Sequence, residues 1–336
     1  MLQYIDEESE FTYQHLSTKE AKAPSNIRFN RYSNIHPYDI SRVQLTGENE
    51  DRTDYINANC IKIPNSNKRY IACQHPMEST AKHFWQMVWE QNVTIIVMLN
   101  CLSERNHIQY WPHSYTSKNY GSYIVSVMSE RSNETYELRQ LEITYTKDAS
   151  GRKQTVYHYA YKNWSDFGVP KSIQDFLTLM NDVNTQYQEL ALDSPIVVHC
   201  SAGVGRTGTY MLIDSCYQQF LAGNNGDNMN PMYTLTDMRQ YRKGLVQTSA
   251  QLRFAYHAIG SLIRQRNQHQ IDRNAKRTEG MSKTNFSKKT RTFPETTTHT
   301  ILENEPNTNG LSHNPGLFFR KYTPQTDQYF DLTKSK

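Results

Sequence analysis

The chain of 336 residues is poor in cysteine: Cys60, Cys73, Cys101, Cys200 and Cys216 form an odd set with no Cys-x-x-Cys pair. Neither a disulfide framework nor a zinc ribbon fits that spacing, and a reducing compartment fits it best. Long apolar runs are missing too, since stretches such as Ile95 to Leu99 fall far short of the ~20 residues that cross a bilayer. The N-terminal MLQYIDEESE has neither the basic start nor the apolar centre of a signal peptide, and Leu2 stands where myristoylation needs glycine. No export, no transmembrane segment and a cytoplasmic chain are therefore expected. Internal repeats are absent. Most of the chain also lacks an excess of charge: the net +4 arises in residues 271–336, where 11 Lys/Arg face 7 Asp/Glu, and the rest is balanced. A nucleic-acid binder would carry its basic face on the folded part, so no nucleic-acid partner is expected. The cluster Lys283, Lys288, Lys289 and Arg291 reads as a solvated tail.

Apolar periodicity and turn residues alternate from about residue 10 to 268, as in one packed domain. Residues 269–336 turn to Asn, Thr, Lys, Ser, Gln and Pro, with few apolar residues before Leu317, Phe318 and Phe319, which predicts a mostly disordered polar and basic tail. Ile173, Phe176, Leu177, Met180 and Val183 share the spacing of one helix face and predict a helix over 171–190. Residues 141–145 and 156–159 alternate and carry β-branched or aromatic side chains, the pattern of strands. Residues 195–198 form a short buried strand that runs into glycine-rich sequence and then into an apolar helix from Thr209 to Asp214.

On that strand–loop–helix junction sits His199-Cys200-Ser201-Ala202-Gly203-Val204-Gly205-Arg206-Thr207-Gly208. A loop that wraps a phosphate must turn successive backbone N–H groups inward, and Gly203 and Gly205 allow the φ/ψ values this needs. The following helix aims its N-terminus at the same point, which attracts a dianion and favours the thiolate of a nearby cysteine. Cys200 is the expected nucleophile. Arg206, six positions on, can close over the loop and grip two phosphoryl oxygens with its planar fork, which lysine could not do. This chemistry calls for no metal and no cofactor.

With these residues in view the sequence resembles the protein tyrosine phosphatases, the phosphotyrosine-specific, cysteine-dependent family, over roughly residues 10 to 268. The likeness is carried by Asn30-Arg31-Tyr32, Asp54-Tyr55-Ile56-Asn57-Ala58, His83-Phe84-Trp85, Gln109-Tyr110-Trp111-Pro112, Trp164 to Pro170, the phosphate loop, Gly244 to Thr248, and Gln251-Leu252-Arg253-Phe254. It implies an α/β fold with a highly twisted mixed β-sheet flanked by helices, and phosphotyrosine-containing proteins as partners. It further implies that Asp166 protonates the leaving tyrosyl oxygen from a mobile loop, and that Gln247, supported by Gln251, orients the water of the second step. Tyr32 would stack on the substrate ring and make the pocket too deep for phosphoserine, with the Ser201–Gly205 backbone cradling the phosphate. Thr207 either offers its hydroxyl to the departing thiolate or caps the helix. Glu104 is expected to hold the Arg206 rotamer, and His199 to bond nearby backbone and tune the thiolate. Trp85 and Trp89, four apart, read as core. A single domain with a short N-terminus looks most like the phosphatases encoded by bracoviruses of parasitoid wasps, which implies the host-cell cytoplasm and a host–virus role.

Several positions depart from the family pattern. Ser165 replaces a proline beside the acid, Asn34 replaces an aspartate that holds the substrate backbone, and His75 replaces a glycine. The segment from Asn100 to Tyr110 is short and offers no counterpart of a lysine that helps position the acid. These departures keep open a phosphotyrosine-binding pseudophosphatase with weak turnover. Asn163-Trp164-Ser165 is also a glycosylation acceptor, and a glycan there would block loop closure, which again favours the cytosol.

Overall fold

The structure, a computed structural model, describes residues 1–286 apart from 47, 48, 65, 67, 105, 191, 192 and 224–228. Residues Met1–Glu279 form one compact unit, and Gly280–Lys336 are grouped as a second. Lys288, Lys289, Arg291 and Leu317 to Phe319 lie outside the described residues.

Nine strands, among the described residues, join in one sheet: β1 Arg42–Gln44, β2 Tyr55–Lys62, β3 Arg69–Gln74, β4 Ile95–Met98, β5 Ser117–Tyr120, β6 Tyr123–Ser132, β7 Tyr136–Tyr145, β8 Lys153–Tyr161 and β9 Ile196–Cys200. Their order is β1-β2-β3-β9-β4-β8-β7-β6-β5. The sheet is mixed: β9 runs parallel to both β3 and β4, β4 runs parallel to β8, and the flanking pairs are antiparallel. This is the α/β architecture expected from the sequence. Strand β9 lies inside the sheet between β3 and β4 and is buried along its whole length, which is why Ile196-Val197-Val198 is a continuous apolar run rather than an alternating one.

The helices are α1 Leu2–Tyr13, α2 Lys19–Lys22, α3 Ala81–Glu90, α4 Ile173–Leu190, α5 Gly205–Ala222, α6 Pro231–Arg239 and α7 Ser249–Phe286. The two-residue period of β9 divides the core. Ile196, Val198 and Cys200 join Phe176, Met180, Tyr210 and Leu252 on one face, while Val197 joins Trp85, Val88 and Ile96 on the other. Trp85 and Trp89 are core, as their spacing implied. Helix α5 is buried on nearly every side, so the site it heads stands on a rigid post. No helix among the described residues is long and apolar enough to cross a membrane.

The folded part exceeds the expected 10–268 at both ends. Helix α1 begins at Leu2, with Leu2 and Ile5 buried in the main core, because an acidic exposed face hides a short apolar one. Helix α7 continues through residue 268 to Phe286, because its polar residues are helix formers that need no buried partner, as in the Gln268 to Asp272 side-chain bond of 2.9 Å.

Ile5 is fully buried near the beginning of the chain, so Ile5→Ala should lower unfolding stability by about 2–5 kcal/mol. Urea unfolding would show this as a lower midpoint at unchanged slope, and an unchanged midpoint would contradict the packing of α1.

Candidate active site

The cradle is the turn between β9 and α5, and its shape follows from where its carbonyls go. The Ser201 carbonyl accepts from His75 N–H at 3.0 Å, and the Val204 carbonyl accepts from Gly208 N–H at 2.9 Å and Val246 N–H at 3.1 Å. The Ala202 and Gly203 carbonyls both accept from Arg242, at 3.1 and 2.9 Å. In a planar trans peptide the next residue's N–H points opposite to the carbonyl. Successive N–H groups of the turn therefore face the other way, into one concavity at the N-terminus of α5. Gly203 has φ +69°, and a Cβ there would lie 2.1 Å from the Cys73 carbonyl oxygen, so the turn presses flat on β3. A Cβ at Gly205 would lie 2.5 Å from Gln247 Oε1, which brings that glutamine to the cradle's edge.

Cys200 ends β9 nearly buried at the floor, with Thr207 Oγ1 donating to its Sγ at 3.2 Å. Arg206, on the first turn of α5, is buried, and its fork meets Glu104 twice: Nη1 to Oε1 at 2.5 Å and Nη2 to Oε2 at 2.8 Å. Nη1 also donates to the Trp164 carbonyl at 2.8 Å and Nη2 to Asp166 Oδ1 at 3.1 Å. Burial alone would weaken the guanidinium's hold on its proton, but Glu104, Cys200 and Asp166 together raise its pKa above the usual value. Burial pushes the Glu104 carboxyl up, and the hydrogen bonds from Arg206 and the Cys101 N–H more than offset it, leaving its pKa below the usual carboxylate range.

The loop bearing Asp166 lies over this cation. Trp164 is buried and donates from Nε1 to the Gly168 carbonyl at 2.9 Å, which closes the loop on itself. Gln251 Nε2 reaches the same carbonyl at 3.4 Å, and its Oε1 accepts from Gln247 N–H at 3.0 Å. On the opposite wall the Tyr32 hydroxyl meets Ser201 Oγ at 2.7 Å while the residue as a whole remains 38% exposed. Arg31 anchors that wall by donating to the carbonyls of His75, Pro76 and Asn106.

A sequence model described as protein-tyrosine phosphatase matches residues 26–261. This chain belongs to the protein-tyrosine phosphatase family. It is 39% identical over 245 residues to human tyrosine-protein phosphatase non-receptor type 2, covering 71% of this chain and 57% of that protein. Mouse non-receptor type 4 is 40% identical over 252 residues (71% of this chain, 25% of that one), and chicken receptor-type tyrosine-protein phosphatase eta is 36% identical over 255 residues (75% and 18%). The chain thus matches little more than half the length of its type 2 relative.

In this phosphatase domain the contacts above bring Cys200, Arg206, Asp166, Thr207, Gln247, Gln251, Tyr32 and Glu104 together around the Ser201–Gly205 turn. His199 is adjacent to it: its Nε2 meets the Tyr110 hydroxyl at 2.7 Å, beside a backbone hydrogen bond with Cys200. Tyr110 passes the contact to His158 Nε2 at 2.8 Å. The sequence reading missed Arg242, which is fully buried and clamps the underside of the cradle while also gripping Asn57 and Asn59 at 2.8 and 2.7 Å. Burial lowers its pKa to about 10, still a cation at neutral pH. A lone arginine in a polar turn carries no signal of burial; only its position two residues before Gly244 tied it to a family segment. His107 was missed for the same reason, and Tyr110 entered only as part of the segment from Gln109 to Pro112.

His75, His158 and His199 are buried as neutral rings. Burial is the leading cause, followed for His75 by His107, for His158 by Arg139 and for His199 by His75, and the His75 pKa falls to about 3. Each is free to take up a proton once the chain unfolds, so the unfolded state binds more protons below the ordinary histidine pKa of about 6.5. Stability from these groups is complete above that pH and is lost as pH falls. Unfolding free energy should fall by about 2 kcal/mol in total for each ring between pH 7 and 5, most steeply below about pH 6, and a flat profile would show that the rings are not held neutral.

Proposed function

We propose that this chain hydrolyses phosphotyrosine in proteins through a cysteinyl-phosphate on Cys200. The observation that carries the reading is Arg206, whose one fork is held by Glu104 while touching the acid loop at Trp164 and Asp166 directly above the Cys200 floor. In the first step Cys200 Sγ attacks phosphorus in line, the phosphorus–oxygen bond to the tyrosyl ring breaks, and Asp166 gives its proton to the departing oxygen. The turn's N–H groups and Arg206 hold the three equatorial oxygens as charge shifts among them. In the second step a water oriented by Gln247, with Gln251 in support, attacks phosphorus. The sulfur–phosphorus bond breaks, Asp166 takes the water's proton, and Thr207 donates to the released thiolate. Inorganic phosphate and the free enzyme result.

Tyr32 and the depth of Cys200 select an aryl phosphate, because a seryl phosphate lacks the length to reach the floor. The partners are phosphotyrosine-containing proteins met in the cytoplasm during signalling. The host-cell cytoplasm and host–virus role rest on the resemblance to bracovirus phosphatases. A pseudophosphatase reading draws on Ser165, whose carbonyl accepts from Gly168 N–H at 3.2 Å in a loop that lacks proline's stiffness.

Steady-state turnover of a phosphotyrosyl peptide, with a phosphoseryl peptide as control, separates the two. The chain should turn over only the first, Cys200→Ser should abolish hydrolysis while keeping peptide binding, and Asp166→Ala should lower kcat by about 10²–10⁴. A loss of less than roughly tenfold in Asp166→Ala would remove Asp166 as the acid, and binding without turnover in the unaltered chain would establish the pseudophosphatase.

A further inference from the structure

The short segment from residue 101 to 109 touches the cradle at two places. Glu104 grips Arg206 at one end, and His107 Nε2 meets Ser201 Oγ at 2.8 Å at the other. The His107 side chain is 1% exposed and its ring lies 4.4 Å from that of His75. Asn100 Nδ2 sits between the two rings, 3.1 Å from the Nδ1 of each, and the Cys101 carbonyl is 3.1 Å from His107 Nδ1. His75 Nε2 in turn meets the Ile108 carbonyl at 2.9 Å, and Arg31 Nη1 donates to the Asn106 carbonyl at 3.0 Å. The imidazole is therefore held at Nδ1 by Asn100 or the Cys101 carbonyl, according to its tautomer, and at Nε2 by Ser201.

Ser201 Oγ thus carries two partners, His107 Nε2 at 2.8 Å and the Tyr32 hydroxyl at 2.7 Å. A serine hydroxyl has one proton and two lone pairs, so it can serve both at once. Tyr32 lies outside the helices and strands, in a bend after the short helical turn Ile27–Phe29, and 38% of it is exposed. Its hydroxyl bond to Ser201 Oγ ties the ring to the cradle. Ser201 without His107 would regain rotamer freedom, and the ring would lose its anchor.

We propose that His107 is a positioning residue for substrate recognition, fixing through Ser201 Oγ the tyrosine wall against which the substrate's aromatic ring stacks. This rests on the hydrolytic reading above. The effect falls on binding the aryl group rather than on the phosphoryl transfer, because His107 touches neither Cys200 nor Asp166 and its Nδ1 stands 3.8 Å from Glu104 Oε2, beyond hydrogen-bond distance. It also assigns a recognition role to a segment that the family pattern marks only as shortened.

The test uses the full chain and a phosphotyrosyl peptide. His107→Leu should raise KM about three- to tenfold, the worth of one hydrogen bond, with kcat within about twofold. His107→Gln places an amide at the distance of Nε2 and should return KM to within about twofold of the unaltered chain, whereas His107→Asn, which reaches only as far as Nδ1, should not. In a Tyr32→Phe background the His107→Leu effect should vanish, because the hydroxyl it anchors is gone. An unchanged KM, a kcat loss as large as the KM rise, an equal effect in Tyr32→Phe, or Asn performing as well as Gln would each overturn the proposal. Should His107→Leu fail to fold, the Gln and Asn pair decides alone. No turnover in the unaltered chain overturns the hydrolytic reading and this one together; normal turnover with silent His107 variants overturns only this one.

Discussion

A guanidinium buried to 1% exposure must have partners, because removing a cation from water costs several kcal/mol unless its donors are met. Arg206 meets this demand at Nη1 and Nη2 with Glu104, the Trp164 carbonyl and Asp166, leaving Nε without a partner, and those three partners come from two segments that are remote in sequence. The need to satisfy one cation therefore draws the 101–109 segment and the acid loop to the same turn of α5. Holding the fork in place beforehand also means that little side-chain freedom remains to be lost when an oxyanion arrives. The second buried arginine, Arg242, acts on the other side. By taking the Ala202 and Gly203 carbonyls it leaves the N–H groups facing the concavity, so one arginine shapes the cradle and another stands beside its opening.

Beneath the cradle lies a neutral polar layer rather than a second set of charges. His199, Tyr110, His158 and His75 are joined through ring and hydroxyl contacts, and burial keeps the three imidazoles unprotonated. Further cations here would add to Arg206 and Arg242 in a small volume of low dielectric, at a high electrostatic cost. The neutral layer supplies geometry without that cost. Two of the residues with positive φ, Phe167 at +56° and Val246 at +63°, sit on the loop bearing Asp166 and just before Gln247, so the rim carries backbone strain. A buried β-branched residue holds such a φ only where its surroundings over-determine it. Val246 is fixed by its N–H to the Val204 carbonyl and its own carbonyl to Arg239.

Much of this was legible in the residues. Strand β9, the glycine turn and α5 follow from a short apolar run, two glycines and an arginine at a fixed spacing, and α4 follows from the period of Ile173 to Val183. What was not legible shares a physical cause. Helix α1 buries only Leu2, Ile5 and Ser9, too few for a period to stand out among acidic residues. Helix α7 outruns its apolar stripe, so its later turns look like tail. Arg242 and the buried histidines are polar residues whose burial is set by tertiary partners from β2, β8 and the cradle itself, and no local pattern encodes that. The role of Glu104 was within reach because it answers a question the sequence already poses: what holds Arg206.

The account centres on a phosphoryl group passing through Cys200 sulfur, with Gln247 needed only to deliver the water that releases it. Rapid acid quenching of the Gln247→Ala variant during turnover of a phosphotyrosyl peptide, followed by peptide mass analysis, tests that passage most directly. A cysteinyl-phosphate mechanism gives one added phosphoryl group on the peptide containing Cys200, formed at the rate at which the dephosphorylated substrate peptide appears and decaying more slowly than in the unaltered chain. Dephosphorylated substrate peptide with no phosphorylated Cys200 at any quench time would contradict it.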